Sequence, residues 1–220
     1  MDVEQRAARH AALGDPVRLR IVDELTVSDR APVELGARLG LPSNLLAHHL
    51  EVLEAIGMIT RSRSSGDGRR RYVHLLPDAR SGLGPTGSPT IGDAVFVCTH
   101  NSARSPLAAA LWTQVTGRPA RSAGTHPATR VHPKAVAAGR KAGVDLTDAT
   151  PRSLDELGDL GQRRGLVVTV CDRAHEELDP PAGWLHWSVL DPVPVGTAAA
   201  FDATVAELRH RIGLLVGAAA

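Results

Sequence analysis

A cysteine lies between a short apolar run and an Ala/Leu-rich run, and this order limits what the second half of the chain can fold into. Residues 94–97 have the composition of a buried β-strand and Cys98 follows at once; after five more residues, Arg104 and Ser105 open a helix-forming segment. A strand, a tight loop and a helix in this order direct backbone N–H groups and the positive end of the helix towards one point. The pattern predicts an anion-binding loop with a cysteine at its base.

The residues of this loop have the chemistry that a thiolate needs in order to attack an oxyanion. The positive field that binds an anion also favours the thiolate form of Cys98, which is the nucleophile. The guanidinium of Arg104 can hold two oxyanion oxygens, and the hydroxyl of Ser105 can hydrogen-bond the sulfur. We therefore predict these three residues to be catalytic; the alternative is a buried, inert cysteine beside a surface arginine. The predicted oxyanion-binding residues are Thr99, His100, Asn101, Ser102, Ala103 and Arg104, of which Asn101 and Ser102 would brace the loop.

The segment around this loop alternates strand-like and helix-like runs. Such alternation is typical of an α/β doubly wound domain, and we predict a four-stranded parallel sheet covered on both faces. Ligands bind these sheets at the carboxyl ends of the strands. Cys98, Cys171 and Asp191 each follow a predicted strand, so we expect one site that contains all three. The predicted strands are residues 94–97, 120–123, 166–170 and 184–187, and the predicted helices are residues 103–116, 133–142 and 198–215.

The sequence VCTHNSARSP, residues 97–106, resembles the phosphate-binding loop of low-molecular-weight protein tyrosine phosphatases and of the arsenate reductases built on the same fold. Further matches, in the family's order, are SAGTHP, VHPKAV, RSLDEL, VVTVCD and HWSVLDP. The resemblance implies that Cys98 is the nucleophile and that Asp191 protonates the leaving oxygen. The alternative for Asp191 is an Asp-Pro pair that only starts a turn. His100 stands where relatives usually have glycine; it would adjust anion affinity or take a left-handed backbone.

The second cysteine bears on whether the substrate is arsenate or phosphotyrosine. The resemblance places Cys171 where redox members of the family keep a second thiol, which would attack the Cys98–arsenate adduct, release arsenite and form a disulfide. Pro-Val-Pro-Val follows Asp191 in a chain that is only 3% aromatic, whereas tyrosine phosphatases of this fold usually carry aromatic residues at the pocket mouth. We predict a thiol-dependent arsenate reductase; the alternative is a tyrosine phosphatase in which Cys171 is a core residue. We expect no bound cofactor or metal, and an external thiol reductant of the thioredoxin, glutaredoxin or mycothiol type.

The first part of the chain has the pattern of helices followed by a hairpin. Helices are predicted at residues 4–13, from Asp15-Pro16 to Leu25, at residues 32–39, and at residues 43–56 with Ser43 as the N-cap. The second helix has an apolar face. Strand-like runs at residues 58–63 and 69–75 are joined by Ser-Ser-Gly-Asp-Gly, a hairpin signal. The residues of the apolar face are Val17, Leu19, Ile21, Val22 and Leu25.

The segments ALGDPVRLRIVDEL, LGLPSNLLAHHLEVLEAIGMI and RSRSSGDGRRRYVHL resemble the ArsR family of winged helix-turn-helix repressors, over residues 5–76. The resemblance implies binding of a double-stranded DNA operator, with a recognition helix at base edges and a basic wing at phosphates. A winged helix used only for protein contacts is the alternative. No cysteine occurs in the first 97 residues, which excludes a three-thiolate arsenite site there. The predicted DNA-binding residues are Ser43, Asn44, Ala47 and His48 on the helix and Arg61, Arg63, Arg69, Arg70 and Arg71 on the wing.

A Gly-, Pro-, Ser- and Thr-rich stretch without apolar periodicity separates the two parts. We predict a winged helix-turn-helix domain at residues 1–78, a linker at 79–92 and a reductase or phosphatase-like domain at 93–220. Two cysteines cannot form a secreted disulfide framework and no run approaches the roughly 20 apolar residues of a membrane span, so we expect a cytoplasmic protein without membrane contact. We expect a homodimer that uses residues 1–13 or the second domain. A further alternative is a repressor whose second domain only senses an oxyanion or redox state.

Overall fold

The computed structural model describes residues 3–77, 79, 92–158 and 165–217. The chain divides into two units, one of residues 1–64 and 68–86 and the other of residues 65–67 and 87–220. Of the predicted linker, residues 79–92, only the two end residues are described. Within the described ranges, no helix has the length and apolar character needed to cross a membrane.

The first unit contains helices whose starts follow from local sequence. Helix α1 covers Val3–Leu13 and α2 covers Pro16–Val27; the Asp15 carboxylate caps α2 by accepting the N–H groups of Val17 and Arg18, at 2.8 and 3.1 Å. Helix α3 covers Pro32–Leu39, and Gly40, at φ 66°, supplies the left-handed turn before α4.

Helix α4 covers Ser43–Ala55, and its start corrects one prediction. Pro42 occupies the N-cap position and no side chain caps the helix, so the prediction of Ser43 as N-cap is wrong. Proline has no side-chain oxygen, so Pro42 cannot accept a hydrogen bond from the N–H groups of the first turn. Strands β1, Ile59–Arg63, and β2, Arg71–Leu75, pair antiparallel from Ile59 opposite Leu75 to Arg63 opposite Arg71.

The core of the first unit forms between the helices and the hairpin. The largest fully buried side chains of this unit come from α2, α3, α4, Met58, β1 and β2. The exposure of Leu19, at 42%, departs from the predicted apolar face of α2. The segment between α2 and α3 runs beside β2, because Arg30 and Val73 exchange backbone hydrogen bonds of 3.3 and 2.8 Å. The fully buried side chains of this core include Ile21, Leu35, Leu50, Leu53, Met58 and Ile59.

The second unit contains a four-stranded parallel sheet with the order β4-β3-β5-β6. The strands are β3 Asp93–Cys98, β4 Ala120–Gly124, β5 Gly165–Thr169 and β6 Leu185–His186. The helices are α5 Arg104–Thr116, α6 Pro133–Lys141, α7 Asp172–Leu178, α8 Pro192–Val195 and α9 Ala198–Gly217, with a short 3-10 helix at Asp155–Leu157. Sequence periodicity missed α7 and α8, because neither is long enough to show a helical repeat.

The order of the strands fixes where the loop after β3 lies. Strand β3 pairs with β4 on one side and with β5 on the other. The chain therefore leaves β3 in one direction, towards β4, and later crosses back to β5, so the strand order reverses beside β3. Doubly wound sheets bind their ligands at such a position. Phe96 anchors β3 in the core between the rings of Trp112 and Trp187, with centroid distances of 5.9 and 5.7 Å. Cys98, the last residue of β3, is thus held by a buried strand at the point where the strand order reverses.

Candidate active site

The loop after β3 turns around the sulfur of Cys98. Asn101 has a left-handed backbone, at φ 47°, and its N–H group donates to Cys98 Sγ at 3.2 Å. Asparagine tolerates this conformation better than most residues. Sequence reasoning had considered His100 for a left-handed backbone, but the left-handed residue of this loop is Asn101. Cys98 is 3% exposed, so the loop encloses its thiol.

Ser105 and Asn101 connect the sulfur to the surrounding chain. Ser105 Oγ lies 3.1 Å from Cys98 Sγ and 3.2 Å from the carbonyl oxygen of Ala123, and it accepts a hydrogen bond from Asn101 Nδ2 at 2.8 Å. Its single proton can therefore point to the sulfur or to the carbonyl. A thiolate would draw that proton, because hydrogen bonds to charged acceptors are the stronger ones. Asn101 Oδ1 also accepts the N–H of Arg152 at 3.0 Å and so links the loop to the segment that carries Arg152.

Gly124 is a residue of this site that sequence reasoning did not single out. A Cβ atom at this position would lie 2.7 Å from the carbonyl oxygen of Thr99 and 2.9 Å from the nitrogen of Asn101. The backbone of the anion loop thus packs directly against the end of β4. The signal available in the sequence was a glycine at the carboxyl end of a predicted strand, beside the strand that carries Cys98.

The segment after β4 also follows the loop closely. The N–H groups of Thr125, His126 and Ala128 donate to the carbonyl oxygens of Cys98, Thr99 and His100, at 3.2, 2.8 and 2.9 Å. These bonds turn the loop carbonyls towards the β4–α6 connection. His100 is exposed, and its Nδ1 lies 3.0 Å from the carbonyl oxygen of His126.

Two further predicted oxyanion-binding positions lie at the end of the loop. The carbonyl oxygen of Ser102 accepts the N–H of His132 at 2.8 Å, and Ala103 is buried directly before α5. Both residues therefore lie between the turn at Asn101 and the first residue of α5, Arg104.

Arg104 brings the predicted acid to the loop. The guanidinium is buried; its Nη1 donates to the carbonyl oxygen of Val189 at 3.0 Å and its Nη2 to Asp191 Oδ2 at 2.8 Å. The second oxygen of Asp191 accepts the N–H of Val193 at 3.0 Å and so caps α8. Asp191 therefore starts a turn and also contacts Arg104 of the anion loop. A turn-starting Asp-Pro pair and a proton donor at the site are thus compatible interpretations of this residue.

Cys171 lies beside the same loop. It is fully buried at the start of α7, where its Sγ accepts the N–H of Ala174 at 3.4 Å and lies 3.2 Å from Thr99 Oγ1. Burial raises the pKa of the Cys171 thiol, and the positive charge of Arg104 acts in the opposite direction. Both cysteines are free thiols. The structure thus brings together Cys98, Arg104, Ser105, Asp191 and Cys171, as the positions after the strands predicted.

The predicted recognition helix presents its residues to solvent. Ser43, Asn44 and His48 are exposed and Ala47 is half-buried, whereas the neighbouring His49 is buried. The separation of exposed and buried positions follows the helical repeat. The first turns of α4 are therefore open to a partner at the positions predicted to meet base edges.

The wing concentrates positive charge on exposed positions. Arg63 and Arg71 face each other across the two strands, and Arg69 and Arg70 precede β2. Like charges directly opposite one another destabilise a hairpin, so this arrangement favours a bound anion. Arg61 differs: it is half-buried and donates to the Glu54 carboxylate, which raises the pKa of Arg61 and offsets its charge.

Models of known protein families match both units of the chain. A family model described as low molecular weight phosphotyrosine protein phosphatase matches residues 93–219, which is more than half of the chain. The chain belongs to this family. A second model, described as a helix-turn-helix domain, matches residues 13–62. The phosphatase-family match covers the sheet and every residue predicted for the active site.

Individual relatives divide between the two units. Arsenate reductase 2 of Staphylococcus epidermidis is 32% identical over 101 residues, which cover 44% of this chain and 76% of that protein. The HTH-type transcriptional repressor SmtB of Mycobacterium tuberculosis is 43% identical over 67 residues, which cover 30% of this chain and 47% of that protein. A tyrosine phosphatase structure from Erwinia amylovora superimposes with a TM-score of 0.50 at 21% identity, over 60% of this chain and 95% of that one, and shows that the second unit has the fold of the phosphatase family.

Proposed function

We propose that this chain is an arsenate reductase of the phosphatase fold, at residues 93–220, joined through residues 79–92 to an ArsR-type DNA-binding domain at residues 1–78. The observation that carries the reductase proposal is a pair of buried thiols at one anion loop. Asn101 donates to the sulfur of Cys98, and Thr99 of the same loop contacts the sulfur of Cys171. Reduction of arsenate requires two electrons, which two thiols supply when they form a disulfide.

The first step is attack on arsenate by the thiolate of Cys98. The loop N–H groups and Arg104 hold the oxyanion, and an As–S bond forms while one As–O bond breaks. Asp191, beside Arg104, donates the proton with which that oxygen leaves as water. Ser105 stabilises the thiolate before the attack through its contact with the sulfur.

The second step reduces arsenic and oxidises sulfur. Cys171 attacks Cys98, an S–S bond forms, the S–As bond breaks, and its electron pair converts As(V) to As(III), which leaves as arsenite. The Cys171 thiol must lose its proton first, and the burial that raises its pKa opposes this loss. An external thiol then reduces the disulfide, or attacks the Cys98 adduct in place of Cys171.

The burial of both sulfurs bears on the reductant. Cys171 is fully buried and Cys98 is 3% exposed, and the chain contains no third cysteine to carry a disulfide outward. A protein dithiol needs an accessible sulfur to form a mixed disulfide, whereas a small thiol can enter through the oxyanion site. These features favour a low-molecular-weight thiol of the mycothiol or glutathione type over direct reaction with thioredoxin.

Arsenite release with purified donors tests this proposal. We expect turnover with a small thiol and its glutaredoxin-type partner, its loss in Cys98→Ser, and retention of turnover with small thiols in Cys171→Ser if the external thiol attacks the adduct directly. Loss in both variants would identify Cys171 as the resolving thiol. Hydrolysis of aryl phosphates without arsenate turnover would instead establish the phosphatase alternative.

The DNA-binding proposal rests on the exposed charge of the wing. Arg63→Ala should weaken binding to DNA of every sequence by a similar factor. It should also reduce the slope of log affinity against log salt concentration by about one. Arg38→Ala is a matched control, since Arg38 is an exposed arginine on α3 whose charge is paired with Glu24 of α2. Equal salt slopes for wild type and Arg63→Ala would remove the wing from the DNA interface.

The sensor alternative predicts a different link between the two activities. If the second domain only senses, Cys98→Ser should alter the response of DNA affinity to arsenate. If it is an enzyme that acts independently, DNA binding by Cys98→Ser should equal that of wild type with and without arsenate, while arsenite release is lost. Binding measured at one stated salt concentration separates these outcomes.

A further inference from the structure

We propose that Ser62, on the first strand of the wing, is a base-activated nucleophile and a site of covalent modification by a phosphoryl donor. Ser62 Oγ lies 2.6 Å from His74 Nε2, and His74 Nδ1 lies 3.0 Å from Asp29 Oδ2. The three side chains come from β1, β2 and the segment between α2 and α3, all within the first unit. A serine, a histidine and a carboxylate in this atomic order are the arrangement that activates a hydroxyl.

The positions of the protons follow from the partners. Asp29 is 1% exposed and, as a carboxylate, can only accept hydrogen bonds, so the Nδ1 atom that faces it must carry a proton. In neutral His74 the Nε2 atom is then a base, and Ser62 must donate to it. The buried carboxylate therefore selects the tautomer in which His74 can take the Ser62 proton.

The backbone holds this arrangement rigidly. His74 is opposite Thr60 and Ser62 is opposite Tyr72, so Ser62 and His74 are diagonal neighbours on one face of the hairpin. The hydrogen bonds between Arg30 and Val73 fix the segment that carries Asp29 beside β2. No rearrangement of the wing is required to align the three groups.

The surroundings of Ser62 define the class of electrophile. Ser62 is half-buried. The N–H of Ser64 donates to the carbonyl oxygen of Arg70 at 3.0 Å and continues the strand pairing, so the exposed Arg70 lies on the same face of the hairpin as Ser62, whereas Arg63 and Arg71 lie on the other face. This exposed cation attracts an anionic phosphoryl donor such as an acyl phosphate, whose oxygens the guanidinium group can bind.

The reaction is a phosphoryl transfer without oxidation or reduction. Ser62 Oγ attacks phosphorus, a P–O bond to serine forms, and the bond from phosphorus to the carboxylate leaving group breaks. The hydroxyl proton passes to His74 Nε2 and then to solvent. The product adds a charge of about −1.5 to −2 beside the wing arginines, which lowers the affinity of the wing for DNA phosphates.

Labelling of the full-length protein tests the proposal. A fluorophosphonate probe should modify Ser62, located by peptide mass, roughly 100-fold faster than the exposed Ser43, which has no such triad. His74→Gln should remove this advantage, and Asp29→Asn should reduce it. Ser153→Ala, at a half-buried serine of the second unit, is the matched control and should leave the Ser62 rate unchanged. Equal labelling of Ser62 and Ser43 in wild type would overturn the proposal.

A second measurement guards against variants that fail to fold. In wild type, the rate of Ser62 labelling should rise with pH and then level off, as expected for a hydroxyl activated by a neighbouring base. A rate that climbs continuously to high pH, as for an ordinary alcohol, would overturn base activation. Acetyl phosphate should also phosphorylate Ser62 and weaken operator binding in wild type but not in Ser62→Ala; labelling by the fluorophosphonate alone would overturn the acyl phosphate as donor.

Discussion

At the scale of single residues, the contacts of the Arg104 guanidinium place a carboxylate beside the predicted oxyanion site. Arg104 is occupied by Val189 and Asp191 before any oxyanion binds. These contacts use two of its five N–H donors, so an arsenate can bind the remaining ones and lie next to the Asp191 carboxylate. Two negative charges in contact disfavour each other, so arsenate and an ionised Asp191 carboxylate repel one another.

Asp191→Asn tests the proposed role of Asp191 as an acid. The amide oxygen can still cap α8 but cannot deliver a proton, so we expect kcat for arsenate reduction to fall roughly 100-fold or more. Arsenate affinity should be retained or increased, because the repelling charge is gone. Steady-state kinetics and calorimetric binding separate the two quantities, with Asp202→Asn, a surface carboxylate paired with Lys141, as the control. Weaker binding with unchanged kcat would contradict an acid role.

The burial of Cys171 leads to a prediction about stability and pH. The pKa of this thiol is raised in the folded state, so folding favours its neutral form. The contribution of the neutral thiol to the free energy of unfolding is therefore complete below the ordinary cysteine pKa of about 8.5. That contribution is lost as the pH rises above this value. The urea midpoint of wild type should therefore fall more between pH 7 and pH 10 than that of Cys171→Ala. Parallel curves for the two proteins would contradict it.

At the scale of elements, the geometry of the anion loop depends on its neighbours as much as on its own sequence. The end of β4 packs against the loop backbone, and the segment after β4 binds its carbonyl groups. The buried turn around Cys98 is thus held from outside. Displacement of β4 should move the N–H groups that bind the oxyanion without removing any catalytic side chain.

Gly124→Ala tests the contribution of β4. Its methyl group would meet the carbonyl of Thr99 and the nitrogen of Asn101, so the loop must shift, and we expect activity to fall about 100-fold while the domain remains folded. Gly213→Ala on α9 is the matched control, because its Cβ would meet nothing within 4 Å. Arsenite release and circular dichroism provide the two readouts. Full activity in Gly124→Ala would show that the loop adapts.

At the scale of the whole molecule, each unit has the means to fold by itself. The first has a core formed by its helices and hairpin, and the second has a buried sheet with Phe96, Trp112 and Trp187 at its centre. Domains with separate cores usually fold independently. The charge of the whole chain, +1, says little about DNA, since the cations that matter are concentrated on the wing.

Separate expression of residues 1–78 and 93–220 tests this independence. We expect both fragments to show cooperative thermal unfolding, and the second fragment to retain arsenite release within a few-fold of the full chain. The first fragment should bind the operator if it carries its own dimer contacts. Loss of activity in a folded second fragment would show that the enzyme requires the DNA-binding part.

Local sequence determined a large part of this protein. The strand, loop and helix around Cys98, the alternation of strands and helices after it and the helix-turn-helix with its basic hairpin were all predictable, because backbone preference and apolar periodicity act over a few neighbouring residues. Those same patterns placed Cys98, Cys171 and Asp191 after strands. The positions of the short helices α7 and α8 were not predictable, since too few residues repeat.

Only the tertiary structure decided which groups touch. In the second unit it brought Asp191 into contact with Arg104, Thr99 into contact with Cys171, and Gly124 against the loop backbone. In the wing it paired Arg61 with Glu54 but left Arg63 opposite Arg71. It also aligned Ser62, His74 and Asp29, which are distant in sequence. Contacts of this kind depend on the packing of separate elements to within about an ångström, and that distance is set by the folded core rather than by any local pattern.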